Sequence, residues 1–352
     1  MSSITFALPK SAFAPSKVGL SYRPDLDGLR ALSCLLVYFF HVRGSKGWHG
    51  QFPVLDYLQG WIGVYVFFVL SGFLITTMLM TEEAERGKIR FGSFILRREF
   101  RIVPAYFATI ALYGILCLTP IARQYASQYR AGFWWWISYN GDVATLMPSV
   151  GSLLGHSWSL AVEQRFYLIW PFLLFAISRS WRARLAILTV GVVGSLYIPF
   201  TNPVPYFALM IGSTVAVANG YGLGERFLSR IPMAFSITLA MGSFVVVWRH
   251  LSTLPLFCVM TGLLVLHLTV RETWFKSLLE AKGLVWLGQR SYSFYLLHVI
   301  CLNIVLKILP TRSTIESIGA IVAGCTLTMI AAATSYQLIE EPFRKLGKRI
   351  LN

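Results

Sequence analysis

Charge is scarce in this chain of 352 residues: Asp, Glu, Lys and Arg together make up 13%, while apolar residues reach 56%. An average soluble domain carries about 25% charged residues. Too little polar side chain remains to clothe a globular surface, which argues against a soluble enzyme. Acid is scarcer still, with 15 carboxylates against 31 Lys and Arg and a net charge of +16. A basic excess raises nucleic acid as a partner, but long apolar stretches separate these charges and no basic face forms, so nucleic acid is set aside. Cysteine is sparse too. Cys34, Cys117, Cys258, Cys301 and Cys325 make no C-x-x-C pair, so neither a disulfide framework nor a zinc site follows, and each reads as a small core hydrophobe. No internal repeat and no low-complexity tract is present. The first twenty residues hold Pro9, Lys10, Pro15 and Lys17 but no apolar core, so they are not a signal peptide.

What the chain has instead is apolar length. Hydropathy and helical periodicity predict ten spans, near 29–42, 58–80, 102–119, 157–177, 185–199, 205–219, 233–248, 255–270, 289–309 and 317–339. The expected fold is an all-α polytopic membrane bundle of about ten transmembrane helices. Several of these spans fall short of the ~20 residues that a full crossing needs. With a cytoplasmic N-terminus, the outer loops hold Arg43, Lys46, Arg123, Arg130, Arg249, Lys307 and Arg312, while Arg165 and Arg290 lie inside spans and the other basic residues face inward. That asymmetry follows the positive-inside rule and places both termini in the cytoplasm. Three parts are expected: a cytoplasmic arm (1–28), a transmembrane domain (29–340) and a basic cytoplasmic tail (341–352). The outer segment 120–156 carries Trp134, Trp135 and Trp136, either an aromatic interface anchor or a lid over a site.

Ionisable groups inside hydrocarbon are costly and mark function by default. Of the 15 carboxylates only Glu163 falls within a predicted span, with His41, His267 and His298, and His156 at a span's edge. Arg30 and His41 are eleven residues apart, so on a helix they share one face about 16 Å apart along the axis: an anion site below and a possible base above. Asp27 either caps this helix or pairs with Arg30. His156, Ser159, Glu163 and Tyr167 follow i, i+3, i+7, i+11 spacing and share one stripe. Glu163 then lies roughly 10 Å below the outer surface, at the expected depth of His41. A carboxylate there can orient an imidazole or pair with an arginine between helices. His298, with Ser291 and Tyr295 on its face, serves either hydrogen-bonded packing or catalysis. His267 has no polar companions at helical spacing and reads as structural. Arg97, Arg98 and Arg101 open the third span, where a basic segment can anchor lipid; their forked guanidiniums also suit a multiply phosphorylated ligand. No metal site is expected.

These residues resemble the acyltransferase-3 family of integral membrane acyltransferases, over nearly the whole chain. RPDLDGLRALSCLLVYFFH (Arg23–His41) is similar to the family's D-G-L-R-A start with its R-x10-H pair. GWIGVYVFFVLSGFLI (Gly60–Ile75) resembles its glycine-rich second span, and RREFRIVPAY (Arg97–Tyr106) its R-x-x-R-I-x-P block. HSWSLAVEQRFYLIWP (His156–Pro171) resembles W-S-L-x-V-E-x-x-F-Y, LGQRSYSFYLLH (Leu287–His298) the late S-Y-x-x-Y-L-x-H block, and YQLIEEP (Tyr336–Pro342) the closing E-x-P with Glu340. The resemblance implies transfer of an acyl group, usually acetyl from cytoplasmic acetyl-CoA, to a hydroxyl of a carbohydrate or lipid-linked glycan across a bacterial cytoplasmic (inner) membrane. Some members carry a fused extracytoplasmic hydrolase-like domain. The short stretch after Glu340 leads to the expectation of a stand-alone type, similar to polysaccharide, lipopolysaccharide and Nod-factor O-acetyltransferases, with macrolide acyltransferases as an alternative.

The expected partners are therefore acyl-CoA, as a substrate and not a resident cofactor, a glycan acceptor and membrane lipids; nothing in the pattern specifies an oligomer. Arg30, Arg97, Arg98 and Arg101 are expected at the CoA phosphates, His41 as general base with Glu163 orienting it, and Asp27, Ser159, Tyr167, Tyr295 and His298 as support. The rival class is a transporter of an anionic metabolite, against which stand the absence of inverted repeats and an arginine cluster confined to one surface.

Overall fold

The computed structural model describes residues 22–45, 59–151, 153–175, 180–197, 204–228 and 231–351. The larger helices are α1 (Pro24–Gly44), α2 (Gly63–Arg86), α3 (Phe91–Leu118), α4 (Ala126–Ile137), α5 (Trp158–Phe175), α6 (Trp181–Tyr197), α7 (Val204–Gly220), α8 (Met233–Arg249), α9 (Leu254–Val270), α10 (Ser291–Ile308), α11 (Thr314–Ser335) and α12 (Glu341–Leu351). No strand occurs among the described residues. Each predicted span falls on one of these helices, and α4 and α12 are additional. Gly60–Arg86, Phe91–Leu118, Leu251–Val270, Ser291–Ile308 and Thr314–Leu351 are long and apolar enough to cross a membrane, and Val204–Gly220 and Met233–Val247 are shorter apolar helices. The chain is an all-α polytopic membrane protein.

Helix starts differ from expectation where the charged ends of helices are not apolar. Pro24 opens α1 at a position where its missing N–H costs nothing, so the helix begins five residues before the predicted span. Residues 1–21 and Lys46 lie outside the described residues. α3 starts at Phe91, eleven residues before its apolar part, because RREFR continues the same helix. The basic tail is also helical. α12 lies back against the start of α3, where a Cβ on Gly347 would meet Phe100 at 2.9 Å.

Helices in lipid gain no hydrophobic drive from one another and associate through close packing and hydrogen bonds. Where α2 crosses α7, a Cβ on Gly72 would lie 1.9 Å from Leu209 O and one on Gly212 2.0 Å from Val69 O; the backbones touch. Thr76 Oγ1 donates to Ser213 Oγ (2.9 Å) and accepts from Trp170 Nε1 (3.2 Å), tying α5 to the same crossing.

The segment 120–151 turns back into the bundle. Tyr129 of α4 donates to Ile110 O (3.2 Å), and Tyr106 donates to Trp136 O (2.9 Å). Tyr106 is twelve residues, about 18 Å, from the C-terminal end of α3, so α4 runs back alongside α3. Arg165 of α5 grips the loop that follows, with bonds to Asp142 Oδ2 (2.6 Å), Asp142 Oδ1 (2.8 Å) and Asn140 Oδ1 (2.9 Å). Trp136 is buried and Trp134 exposed, so the tryptophan run divides between core and surface.

Candidate active site

α1 and α10 bring two of the predicted residues into contact. His41 Nδ1 lies 2.9 Å from Val37 O, one turn back, and His298 Nδ1 lies 2.6 Å from Tyr295 O. A carbonyl only accepts, so each Nδ1 carries its hydrogen. That makes His298 Nε2 a lone pair, and it sits 3.2 Å from His41 Nδ1. His41 thus shares its Nδ1–H between Val37 O and His298, which leaves its own Nε2 as a lone pair. His298 is fully buried. His156 completes a triangle, its ring centroid 5.4 Å from that of His298 and 6.5 Å from that of His41. Among the described residues, no group of His, Cys, Asp and Glu is arranged to hold a metal ion.

Below the triangle is a cavity of about 90 Å³, room for several waters or a slender chain. Arg30, Arg98 and Arg101 line one end, Ser71, Glu163 and Tyr167 the wall, and Ser159 and Tyr295 the end nearest the histidines. Ser159 Oγ and the Tyr295 hydroxyl are 2.7 Å apart, and Tyr295 donates to His156 O (2.7 Å). The Tyr295 ring stands 5.7 Å from His298 and 5.6 Å from His156, so it faces the cavity on one side and the histidines on the other.

The structure separates other residues that the spacing had grouped. Glu163 lies in the cavity wall and accepts from Ser71 Oγ (2.6 Å), whereas the bonded partner of His41 is His298. The reason is helical rise: Ser159 already stands at the level of Tyr295, and Glu163, four residues on, is about 6 Å lower. Arg97 pairs with Glu82 (3.2 Å) and does not line the cavity. Arg98 is buried against Met78 Sδ (2.9 Å) and the ring of Tyr167 (5.7 Å), and among the described residues neither it nor Arg101 has an ion pair. Asp27 pairs with Arg30 (3.6 Å) and accepts from Tyr22; because α1 starts three residues earlier, it is no cap. His267 has both ring nitrogens bonded, to Ser236 and Ile231 O.

One residue escaped sequence reasoning and another was named without a place. Ser71 gave no signal in an apolar, glycine-rich run. Glu340 is buried, accepting from Ser293 Oγ, in a π-helical turn, Tyr336–Glu340, that breaks the α-helical run from α11 to α12. Such turns are rare and cluster at functional sites. The E-x-P signature had named Glu340 without placing it.

The cavity thus ends at Ser159 and Tyr295 on one side and at Arg30, Arg98 and Arg101 on the other, with the histidine pair beyond the Tyr295 ring. The acyltransferase domain model of the acyltransferase-3 family matches residues 23–336, and the chain belongs to that family. It is similar to the peptidoglycan O-acetyltransferase OatA of Listeria monocytogenes (29% identical, across 93% of this chain and 56% of the relative) and to the putative peptidoglycan O-acetyltransferase YrhL of Bacillus subtilis (30%, across 93% and 56%). A putative O-acetyltransferase of Staphylococcus aureus is 26% identical across 95% of this chain and 59% of its own length. The chain thus spans little more than half the length of these relatives. No solved structure matches it.

Proposed function

We propose that this protein is a membrane O-acyltransferase that moves an acyl group, acetyl in the first instance, from cytoplasmic acyl-CoA to a hydroxyl of a cell-surface glycan in a bacterium. The observation that carries this reading is the cavity that runs from Arg30, Arg98 and Arg101 to Ser159 and Tyr295, with His298 and its partner His41 just beyond the Tyr295 ring. The positive-inside asymmetry supports a cytoplasmic position for the arginine end, where the phosphates of CoA meet guanidiniums that no carboxylate fully neutralises. The slender pantetheine chain follows the cavity past Ser71, Glu163 and Tyr167, and the thioester reaches the level of Tyr295. His41 Nε2 takes the proton of the acceptor hydroxyl as its oxygen bonds the thioester carbonyl carbon. The C–S bond breaks, and the CoA sulfur leaves with the proton returned by His41. Through its lone pair, His298 stabilises the charge that His41 carries in between. General-base help of this kind is worth roughly 10²–10⁴-fold. The peptidoglycan O-acetyltransferases among the relatives support a carbohydrate acceptor, with peptidoglycan itself as the first candidate.

The test is purified protein in lipid nanodiscs, incubated with acetyl-labelled acetyl-CoA and isolated glycan strands. Label bonded to glycan is the expected result. Uptake of label into proteoliposomes with no covalent product would mean a carrier and would end this reading.

A further inference from the structure

α12 belongs to neither the cavity nor the histidines, and its two faces have opposite chemistry. At about 100° per residue, Phe343, Leu346 and Ile350 fall within an arc of about 60°. Arg344, Lys345, Lys348 and Arg349 occupy an arc of about 140° centred on the other side. The apolar arc is bare: Phe343 is 41% exposed, Leu346 44% and Ile350 60%. The basic arc is exposed as well, and its four cations stand against one carboxylate on the helix, Glu341, which pairs with Lys345 (3.0 Å). What α12 does bury is the flank between the arcs, where Gly347 meets the ring of Phe100 on α3. The helix is thus seated on the bundle by one side, and nothing among the described residues covers its apolar arc.

The position of α12 in the chain says what covers it. Thr314–Leu351 is one helical run of 38 residues, about 57 Å long, against a hydrocarbon layer of ~30 Å. After Glu316 no charged residue follows until Glu340 and Glu341, so α12 begins where the run leaves hydrocarbon for headgroups. The π-helical turn at Tyr336–Glu340 is a recognised cause of a sharp bend and gives the run a place to turn along the surface. A helix with one apolar arc and an opposed basic arc, placed there, fits a bilayer surface lengthwise: apolar side chains dip below the headgroups while the cations stay among them. We propose that α12 is an interfacial helix whose partner is the anionic phospholipid of the membrane that holds the bundle. Phe343, Leu346 and Ile350 enter the acyl boundary, and Arg344, Lys345, Lys348 and Arg349 meet negative headgroups. The four cations make the surface selective, because basic residues beside a membrane are drawn to it by the net negative charge of its lipids. This inference does not depend on the acyltransferase reading.

The experiment places the whole protein in nanodiscs of phosphatidylcholine alone and of phosphatidylcholine with about 30% phosphatidylglycerol, and follows amide hydrogen exchange by mass spectrometry. Exchange reports local opening element by element. The amides of α12 are expected to exchange about tenfold more slowly with phosphatidylglycerol present, while those of α7 exchange alike in both lipids. Salt at about 1 M, where screening sets in within ~3 Å, should shrink that difference in wild type with no substitution made. The variant Arg344→Gln/Lys345→Gln/Lys348→Gln/Arg349→Gln should lose it, and Phe343→Ser/Leu346→Ser/Ile350→Ser should exchange fast in both lipids. Equal exchange of wild-type α12 in the two lipids overturns the proposal: if slow, α3 alone holds the helix, and if fast, its apolar arc awaits a protein and not lipid. A difference that survives the four glutamines also overturns it, because headgroup charge is then not what these residues meet. Unfolding temperatures are recorded for each variant. Should the glutamine variant unfold early, the salt series on wild type decides, and a lipid difference indifferent to salt overturns the proposal.

Discussion

His298 presents a lone pair to the Nδ1–H of His41 across 3.2 Å, so the imidazole of one helix is oriented by that of another. In serine hydrolases a carboxylate does this work. Here the orienting group is neutral, and its own orientation is set by Tyr295 O in the preceding turn of α10.

Removing His298 should leave His41 free to turn about its side-chain bonds. His298→Ala is expected to lower kcat about 10²–10³-fold with little change in the affinity for acyl-CoA, because orientation acts on the chemical step. Residues that act as a unit are non-additive, so adding His298→Ala to His41→Ala should cost almost nothing further. Steady-state kinetics on the two single variants and the double variant measure this. Multiplicative losses would mean the two histidines act independently.

The arginines at the cavity's far end should divide by position. Arg98→Ala and Arg101→Ala are each expected to weaken acetyl-CoA binding about tenfold or more, since charge-assisted bonds to phosphate are strong. Arg97→Ala should be near neutral because Arg97 is committed to Glu82. Comparing acetyl-CoA with acetyl-pantetheine sharpens the test. Wild type should prefer the phosphorylated donor strongly, and the Arg98→Ala/Arg101→Ala double variant should lose that preference.

Glu163 belongs to the cavity wall, so its substitution should be felt by the donor and not by the base. Glu163→Gln keeps an acceptor for Ser71 while removing a charge that faces the arginines. It is expected to change the KM for acyl-CoA several-fold and leave the pH at which kcat rises where it is in wild type. A shift of that midpoint on Glu163→Gln would restore a direct link to His41.

The α2–α7 crossing offers a stability test. Gly72→Leu must separate two backbones that now touch, and overpacking of this kind typically costs about 1–3 kcal/mol or more. A lowered unfolding temperature in detergent is expected. Gly319→Ala is the control, with nothing within 4 Å of the added carbon, and should unfold with wild type.

Much of this architecture can be read from the chain. Apolar period locates the helices because lipid demands apolar length, and the rarity of charge in that length isolates His41, Glu163 and His298. The eleven-residue spacing of Arg30 and His41 puts the one on the cavity and the other beyond it, as helical rise requires. The partnership of His41 was not legible: depth estimates put Glu163 level with it, but an error of one turn on α5 is 5.4 Å, enough to exchange one neighbour for another. Nor could spacing within a helix report Ser71 against Glu163, a meeting of residues 92 apart in sequence. Arg97 and Arg98 are adjacent in sequence yet point to different surroundings, and only packing tells them apart.

The foot of α1 is closed by residues far along the chain. A Cβ on Gly28 would lie 2.0 Å from Leu279 O, and one on Gly288 1.9 Å from Asp27 O. At the ribosome's pace of about 5–20 residues per second, the roughly 250 residues between these partners take on the order of 12–50 s to emerge. The helix that carries His41 is therefore made early and seated late, and throughout that interval it has to wait without the backbone contacts that fix its foot.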